Sequence, residues 1–371
     1  MAESLDLKKL SEDLKAAGTP WQMDPQTSLA QMTEEERRIR LGFVPPAGAP
    51  TLEEAVQRDV TAPRVTQEMI QAESGLGAPA AYDLRNVGGK NFTTPVKDQG
   101  GCGSCVAFGV AAVMETTLRR QRNDETLAID LSEAHLFYCH GGEDGRTCQN
   151  GWFPDAALDK ARDKGVTMES VYPYSGSQQA CAVPSGWQNN IAKVTGRTEL
   201  STRSAMKDWI STRGSITGCF IVYQDFFSYR SGVYRHVSGN AAGGHCVEIV
   251  GYSDSQRCWI CKNSWGTNWG EGGFFRIGYG ECQIETWYGP WGANAVTLRT
   301  WQGNLKVNGL WSNRSARNAY AHFQGVGWRR VVDTSDVQHH AMLTELVGAK
   351  AGNRGVRALV DGNEIQEIYV V

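Results

Sequence analysis

Apolar and polar positions change rhythm three times along the 371-residue chain. In residues 1–78, "SLDLKKLSEDLKAA" sets Leu5, Leu7, Leu10 and Leu14 at helical spacing. "SLAQMTEEERRIRLGF" predicts a second helix, with Thr33 as N-cap, Glu36 at the capping-box position and acids leading bases. "VPPAGAP" interrupts the pattern, and "RVTQEMIQAESGLGAPAA" reads as a linker whose small residues a protease can reach. Residues 79–293 begin with helical patterns, "VAFGVAAVMETTLRR" and "SEAHLFYC". They continue with β patterns, "CFIVYQDF", "HCVEIVGY", "RCWICKNSW" and "GGFFRIGYG". Helices first and strands later predict an α+β arrangement of two lobes rather than a parallel α/β sheet. Residues 297–371 form a third, small α+β unit. "NLKVNGLWSN" and "NAYAHFQGVGWRRVV" are strand-like, "SDVQHHAMLTELVGAK" is helical with Ser335 as cap, and "GVRALVDGNEIQEIYVV" is a hairpin around Asp361-Gly362. A unit of this size needs most of its large apolar side chains inside. Trp301, Trp311, Tyr320, Phe323 and Trp328 are therefore expected in its core, and His339-His340 on a solvated helix face.

Charge and composition change this picture little. A net charge of -3 gives no footprint for nucleic acid or an anionic membrane. No apolar run approaches the ~18 residues of a membrane span. "MAESLDLKKLSEDLKAAG" lacks the apolar core of a secretory signal, yet ten cysteines suit an oxidising compartment. The compartment stays open on these grounds.

The chemistry gathers around "QGGCGSCVAF", residues 99–108. Its Cys-x-x-Cys has three meanings: a redox pair, half a zinc site, or a nucleophile beside a structural thiol. Cys105 follows a Gly-rich turn and opens a helical stretch, where unpaired N–H groups and the macrodipole favour a thiolate. Cys102 sits inside the turn and lacks that advantage. A thiolate needs a base, and His245 stands at the mouth of an apolar strand behind two glycines. In "KNSWGTNWG", Asn263 can orient the imidazole while Trp265 shields that bond from water. The Gln99 amide and the Cys105 N–H can share an oxyanion hole. In "CWIC", Cys258 and Cys261 point to opposite faces of a strand, which disfavours a shared zinc. No metal or cofactor is expected.

Through "TPVKDQGGCGSCVAF", "LSEAHLFYC", "YPYSG", "GGHCVEIVGY" and "KNSWGTNWGEGGFFRI", residues 80–290 resemble the papain family of cysteine peptidases. "SGVYRHVSGNAAGGH" is similar to its cathepsin B branch. The resemblance implies a papain-like two-lobed fold, with a helical lobe and a β-barrel-like lobe. It implies Cys105 as nucleophile, His245 as general base and acid, Asn263 as orienter and Gln99 as oxyanion donor. Residues 1–78 become an inhibitory propeptide whose extended strand enters the cleft backwards and is cut off between Ala72 and Ala80. Gly103, Ser104, Asn150 and Gly151 are implied to line the cleft, and Trp152, Cys246 and Trp287 to shape the pocket for the second residue before the cut. Trp287 stands where the cathepsin B branch carries an acid, which predicts an apolar pocket unless Glu285 turns inward. Between Cys148 and Cys181 there is no His-bearing insertion, which predicts an endopeptidase with an open cleft. Cys102–Cys148 and Cys139–Cys181 are the implied disulfides. That leaves Cys219, Cys246, Cys258, Cys261 and Cys282 beside Cys105, with Cys219 and Cys246 expected as small buried apolar residues. Val106 departs from the family, which has Trp or Tyr there. The expected partners are protein or peptide substrates and the propeptide itself, in a monomer from a secreted or lysosome-like compartment. A papain-like acyltransferase and a catalytically silent binding protein are the alternatives.

Overall fold

A computed structural model describes residues 6–73, 77–315, 317–332 and 334–371. Leu5 and part of the expected cleavage window, residues 74–76, lie outside the described residues. The chain divides into two compact units. One holds the residues up to Val183 with Val194–Val296, and the other holds Pro184–Lys193 with Thr297–Val371. The second unit thus takes Pro184–Lys193 from within the stretch that sequence rhythm assigned to residues 79–293.

In the first unit, helix α1 (Leu7–Ala16) starts at Asp6, whose carboxylate accepts from the Lys9 N–H, and buries Leu10 and Leu14. Strand β1 (Trp21–Met23) follows. The single helix expected next is two, α2 (Ser28–Gln31) and α3 (Glu34–Arg38). The break has a local cause. Thr33 is extended, with ψ at 161°, and closes a capping box with Glu36, so it must start a helix rather than continue one. Helix α4 (Leu52–Thr61) carries a second capping box, Thr51 with Glu54, that was not anticipated. Helix α5 (Gln67–Glu73) replaces part of the expected linker, with Val65 and Ile70 buried beside or within it. The segment carries its own helical signal, since Gln, Glu, Met and Ala are good helix formers and the Thr66 hydroxyl accepts from the Met69 N–H at 3.3 Å.

Strand β2 (Ala81–Asp83) leads to α6 (Cys105–Arg122), which is buried on all sides from Cys105 to Leu118. The predicted helix at "SEAHLFYC" is a π-helical turn, His135–Gly141. Then come α7 (Pro154–Asp163), β3 (Val166–Thr167), β5 (Arg197–Glu199) and α8 (Arg203–Thr212), while β4 (Ile191–Val194) falls almost wholly in the stretch that belongs to the second unit. The β-rich part follows as β6 (Ile216–Tyr223), β7 (Tyr229–Tyr234), β8 (Ala241–Ser253), β9 (Cys258–Lys262), β10 (Phe274–Gly278) and β11 (Trp291–Ala293). One sheet runs β1-β7-β10-β9-β8-β6-β11-β5, with β2 on β8. Helix α6 packs on β8 through Gly109, where an added methyl would lie 3.2 Å from the Cys246 sulfur.

In the second unit, β12 (Val296–Ser312), β13 (Ala319–Phe323), β14 (Gly327–Val331), α9 (Asp336–Ala351), β15 (Gly355–Asp361) and β16 (Glu364–Val370) follow in order. Strand β12 pairs with both β13 and β15, β13 with β14, and β15 with β16, all antiparallel, while β14 and β16 pair in parallel. These five strands close into a barrel, and β4 pairs onto β12 beside it. Ser335 caps α9 as expected. The core is aliphatic, built from residues such as Val307, Val331, Leu346, Val356 and Ile365. Of the five aromatics expected there, only Phe323 enters. Alternation along β13 sends Ala319, Ala321 and Phe323 inward and Tyr320 outward. Trp311 and Trp328 are exposed. His339 also corrects its expectation: it is buried, with Nδ1 2.9 Å from the Val332 carbonyl oxygen, while His340 stays exposed.

Candidate active site

Cys105 is the first residue of α6, behind Ser104. The turn before it is tied down by the Cys102–Cys148 disulfide, and a second disulfide joins Cys139 to Cys181. Gly103 is sterically required, since a Cβ would sit 2.6 Å from the Cys148 oxygen. The Ser104 hydroxyl meets the Tyr174 hydroxyl at 2.7 Å, and Tyr174 donates onward to the Gln99 carbonyl at 2.8 Å. Among the described residues the free cysteines are Cys105, Cys219, Cys246, Cys258, Cys261 and Cys282, all buried.

His245 lies on β8, and its Nε2–H donates to Asn263 Oδ1 at 2.8 Å. The same oxygen accepts from the Ser264 N–H, which fixes the amide orientation and hence the imidazole tautomer. The Trp265 ring lies 4.7 Å from the imidazole and covers it. His245 Nδ1 is buried without a hydrogen-bond partner. Cys105 is fully buried, as is Cys246, the residue after His245. Gln99 is pinned at both ends: Oε1 accepts from the Ser264 hydroxyl at 2.6 Å, and Nε2 donates to the Cys102 carbonyl at 2.8 Å.

Residues Arg40–Val44 of the N-terminal segment lie across this group as a strap. Gln99 Nε2 donates to the Arg40 carbonyl at 2.9 Å. The Phe43 N–H donates to the Gly244 carbonyl at 3.0 Å, the Trp152 N–H to the Gly42 carbonyl at 2.8 Å, and the Val44 N–H to the Trp152 carbonyl at 3.0 Å. Strap and Trp152 run parallel. Two glycines allow the approach. A Cβ on Gly42 would lie 1.9 Å from the Gly103 oxygen, and one on Gly151 would lie 2.1 Å from the Gly42 oxygen, at a positive φ of 57°. The Phe43 ring meets Trp287 edge-on at 4.8 Å, and Trp287 Nε1–H donates to the Pro50 carbonyl.

Of the residues expected around the cleft, Gly103, Gly151, Cys246 and Trp287 therefore gather at the strap and the sulfur. Trp152 meets the strap through its backbone, while its buried indole packs over Gly141. Asn150 is exposed and shapes the turn, with Oδ1 accepting from the Thr147 N–H and Nδ2 donating to the Gly145 carbonyl. Glu285 is occupied elsewhere: it pairs with Arg203 at 2.8 Å and accepts from Trp259 Nε1–H and the Gly280 N–H, each at 2.9 Å. Val106 is fully buried. Ser264 and Tyr174 were missed in the sequence, although both stand inside the stretches "KNSWG" and "YPYSG". Their side-chain roles come from contacts with Gln99, 165 and 75 residues away.

The thiolate expected from the helix terminus is not favoured while the strap is in place. Burial, reinforced by the neighbouring Cys246 thiol, pushes the Cys105 thiol up to about 12 against the N–H donors of Cys246, Gly42 and Val106. The helix terminus supplies at most ~2 kcal/mol, too little to offset that burial. Burial also brings His245 down to about 4, with the Asn263 bond opposing. Between these values the pair rests as thiol and neutral imidazole. Iodoacetamide at pH 7 is accordingly expected to alkylate Cys105 of the full-length chain at least ~100-fold more slowly than after removal of residues 1–78. Equal rates, read by peptide mass spectrometry, would contradict the shielding.

A sulfur at a helix start, a base whose tautomer is set by an amide, and a pinned amide donor suit acyl transfer through a thioester. The chain is of the cysteine hydrolase class. It belongs to the papain family of cysteine proteases, whose family model matches residues 78–288. Cathepsin B-like CP2 of Giardia intestinalis is 35% identical over 223 residues, 56% of this chain and 72% of that protein. A gut-specific cysteine proteinase of Caenorhabditis elegans is 30% identical over 290 residues, 70% of this chain and 84% of that protein. Among solved structures, proCathepsin B S9 from Trypanosoma congolense matches with a TM-score of 0.63 at 22% identity, covering 78% of this chain and 98% of its own. Procathepsin L 3 from the Tenebrio molitor larval midgut matches with a TM-score of 0.59 at 24% identity, covering 77% and 87%. These two likenesses bear on the fold.

Proposed function

We propose that the protein is a cysteine endopeptidase made as an autoinhibited zymogen, with residues 1–78 as the inhibitory propeptide. The observation that carries this is the Gln99 amide donating to the Arg40 carbonyl while Gly42 lies against the Gly103 turn that presents the buried Cys105. The strap thereby occupies the donor meant for a developing oxyanion and covers the turn at the nucleophile. Its parallel course along Trp152 fits the backward entry that the family resemblance implies.

When the strap leaves, Cys105 regains water and the field of the α6 terminus. The thiol proton passes to His245 Nδ1, and Asn263 holds the imidazolium through Nε2–H. The thiolate attacks a peptide carbonyl, with the oxyanion accepting from Gln99 Nε2–H and the Cys105 N–H. His245 returns the proton to the leaving amine, and water then releases the acyl group from sulfur. The two disulfides suit a secreted or lysosome-like compartment.

The pocket for the second residue before the cut takes its character from Trp287, which already holds Phe43. Glu285 is engaged by Arg203 and offers no counter-charge, so a guanidinium entering there would lose water without a partner. Fluorogenic peptides assayed on the processed enzyme test this. Leu or Phe at that position is expected to exceed Arg by about tenfold or more in kcat/KM. Equal or better cleavage of the Arg peptide would overturn the pocket assignment, and absence of any cleavage would overturn the function.

A further inference from the structure

The outward face of the barrel formed by β12, β13 and β14 carries two rows of side chains across three strands. Trp311, Tyr320 and Arg330 oppose one another in one row, and Gly309, His322 and Trp328 in the next. The rows stand on the order of 7 Å apart along the strands. Rings pair within each row, Trp311 with Tyr320 at 5.6 Å between centroids and His322 with Trp328 at 5.2 Å. Gly309 leaves the space that the Trp328 indole fills, since a Cβ there would come within 3.1 Å of the ring. Among the described residues, the exposed large aromatics are Trp311 at 48%, Trp328 at 46% and Tyr369 at 59%, all in this unit. The core does not use the first two: the barrel fills itself with aliphatic side chains. A register shift between Val307 and Gly309 leaves Asn308 exposed beside the rings, as bulges do where they re-aim a side chain.

The strand pairing, the parallel β14–β16 contact and a helix between the third and fourth strands are those of an OB-fold. That barrel binds chain-like ligands on the face of its second and third strands. Fold alone does not assign a ligand, and the side chains must decide. The one Lys or Arg within the two rows is already paired. Arg330 is closed by Glu364 at 3.1 Å, and Arg317 by Asp336 at 2.7 Å. A phosphate chain tracks a groove of available cations, and here it would meet the Glu364 carboxylate. The same features suit an uncharged carbohydrate. The apolar faces of sugar rings stack on indoles, and vicinal hydroxyls match the paired donors of Arg330 and acceptors of Glu364.

We infer that this face is a binding site for an uncharged polysaccharide, with Trp311 and Trp328 as stacking platforms and the Arg330–Glu364 pair as the hydroxyl clamp. The test uses the full-length protein at pH 7 on chitin, microcrystalline cellulose and immobilised laminarin, with single-stranded oligo(dT) in parallel. The expected result is retention on at least one polysaccharide, persisting at about 0.5 M salt because the contact is between neutral groups. Trp311→Ala with Trp328→Ala is expected to lower the retained fraction about tenfold, and His340→Ala on α9 to leave it unchanged. A second readout needs no variant: bound oligosaccharide is expected to protect Trp311 and Trp328 of the wild type from N-bromosuccinimide oxidation. Failure to bind any of the three polysaccharides overturns the proposal. So does retention that the double variant leaves intact without protection of the two tryptophans, or salt-sensitive capture by oligo(dT) instead.

Discussion

The Cys105→Ala protein is expected to stay full-length at pH 4 and to cleave no peptide, while the wild type sheds its first ~78 residues under the same conditions. Loss of the sulfur removes the nucleophile and leaves only binding and the oxyanion donors, so the fall in turnover is on the order of 10⁴-fold or more. The acid trigger follows from the carboxylates that hold residues 1–78 together. Glu36 and Glu54 are held below their ordinary 4.5, first by the backbone N–H of Thr33 and Thr51 respectively. Asp13 is held below its ordinary 3.8 by Lys9 and by the Ser238 hydroxyl. For a depressed carboxylate the stabilisation is present above the unfolded value and lost as pH falls through the folded one. The caps of α3 and α4 therefore begin to weaken below about pH 4.5, and the Asp13–Ser238 contact only below about pH 3.8. N-terminal sequencing after acid incubation decides the matter. Should Cys105→Ala acquire the same new N-terminus as the wild type, cleavage is not the protein's own work.

Gly42→Val is the reverse experiment, and it is expected to open the cleft without acid. A Cβ at 1.9 Å from the Gly103 oxygen meets backbone on a turn that the Cys102–Cys148 disulfide restrains, so the strap must move instead. Movement breaks the backbone bonds of Gly42, Phe43 and Val44 and uncovers Gln99. At about 1 kcal/mol for each of several bonds, the closed state loses at least ~100-fold in population. The full-length variant should therefore hydrolyse a small peptide at pH 7 and react rapidly with iodoacetamide. Gly142→Ala, where a methyl meets nothing within 4 Å, is the control and should remain silent. A Gly42→Val chain as inert as the wild type would show that the strap is not the lock.

Much of this was legible in the order of residues, because the signals are short-range. The capping box of Thr33 with Glu36 spans three residues and appears as read. The Gly-rich turn ending at Ser104 sets the start of α6, and so puts Cys105 at its first position. Asn263 meets His245 as the motifs implied, because β8 and β9 are neighbouring strands of one sheet. Readings failed where burial or strand parity decided. Helix α5 is the exception: Gln, Glu, Met and Ala form helices well, and only the small residues after it gave the stretch the look of a linker. Four aromatics of the C-terminal barrel lie outside its core because alternation in the strands, not size, selects which face turns inward.

The sequence by itself determined the chemistry available here: one cysteine at a helix start, one histidine at a strand mouth, an asparagine and a glutamine at motif spacing. Only the tertiary structure decided the state of that chemistry. The protonation of Cys105 depends on burial under residues some sixty positions earlier. The fit of that cover depends on the missing Cβ of Gly42 against the Gly103 oxygen. Local rules act over a few residues, whereas desolvation and steric fit belong to contacts between distant segments and exist only once the chain has folded.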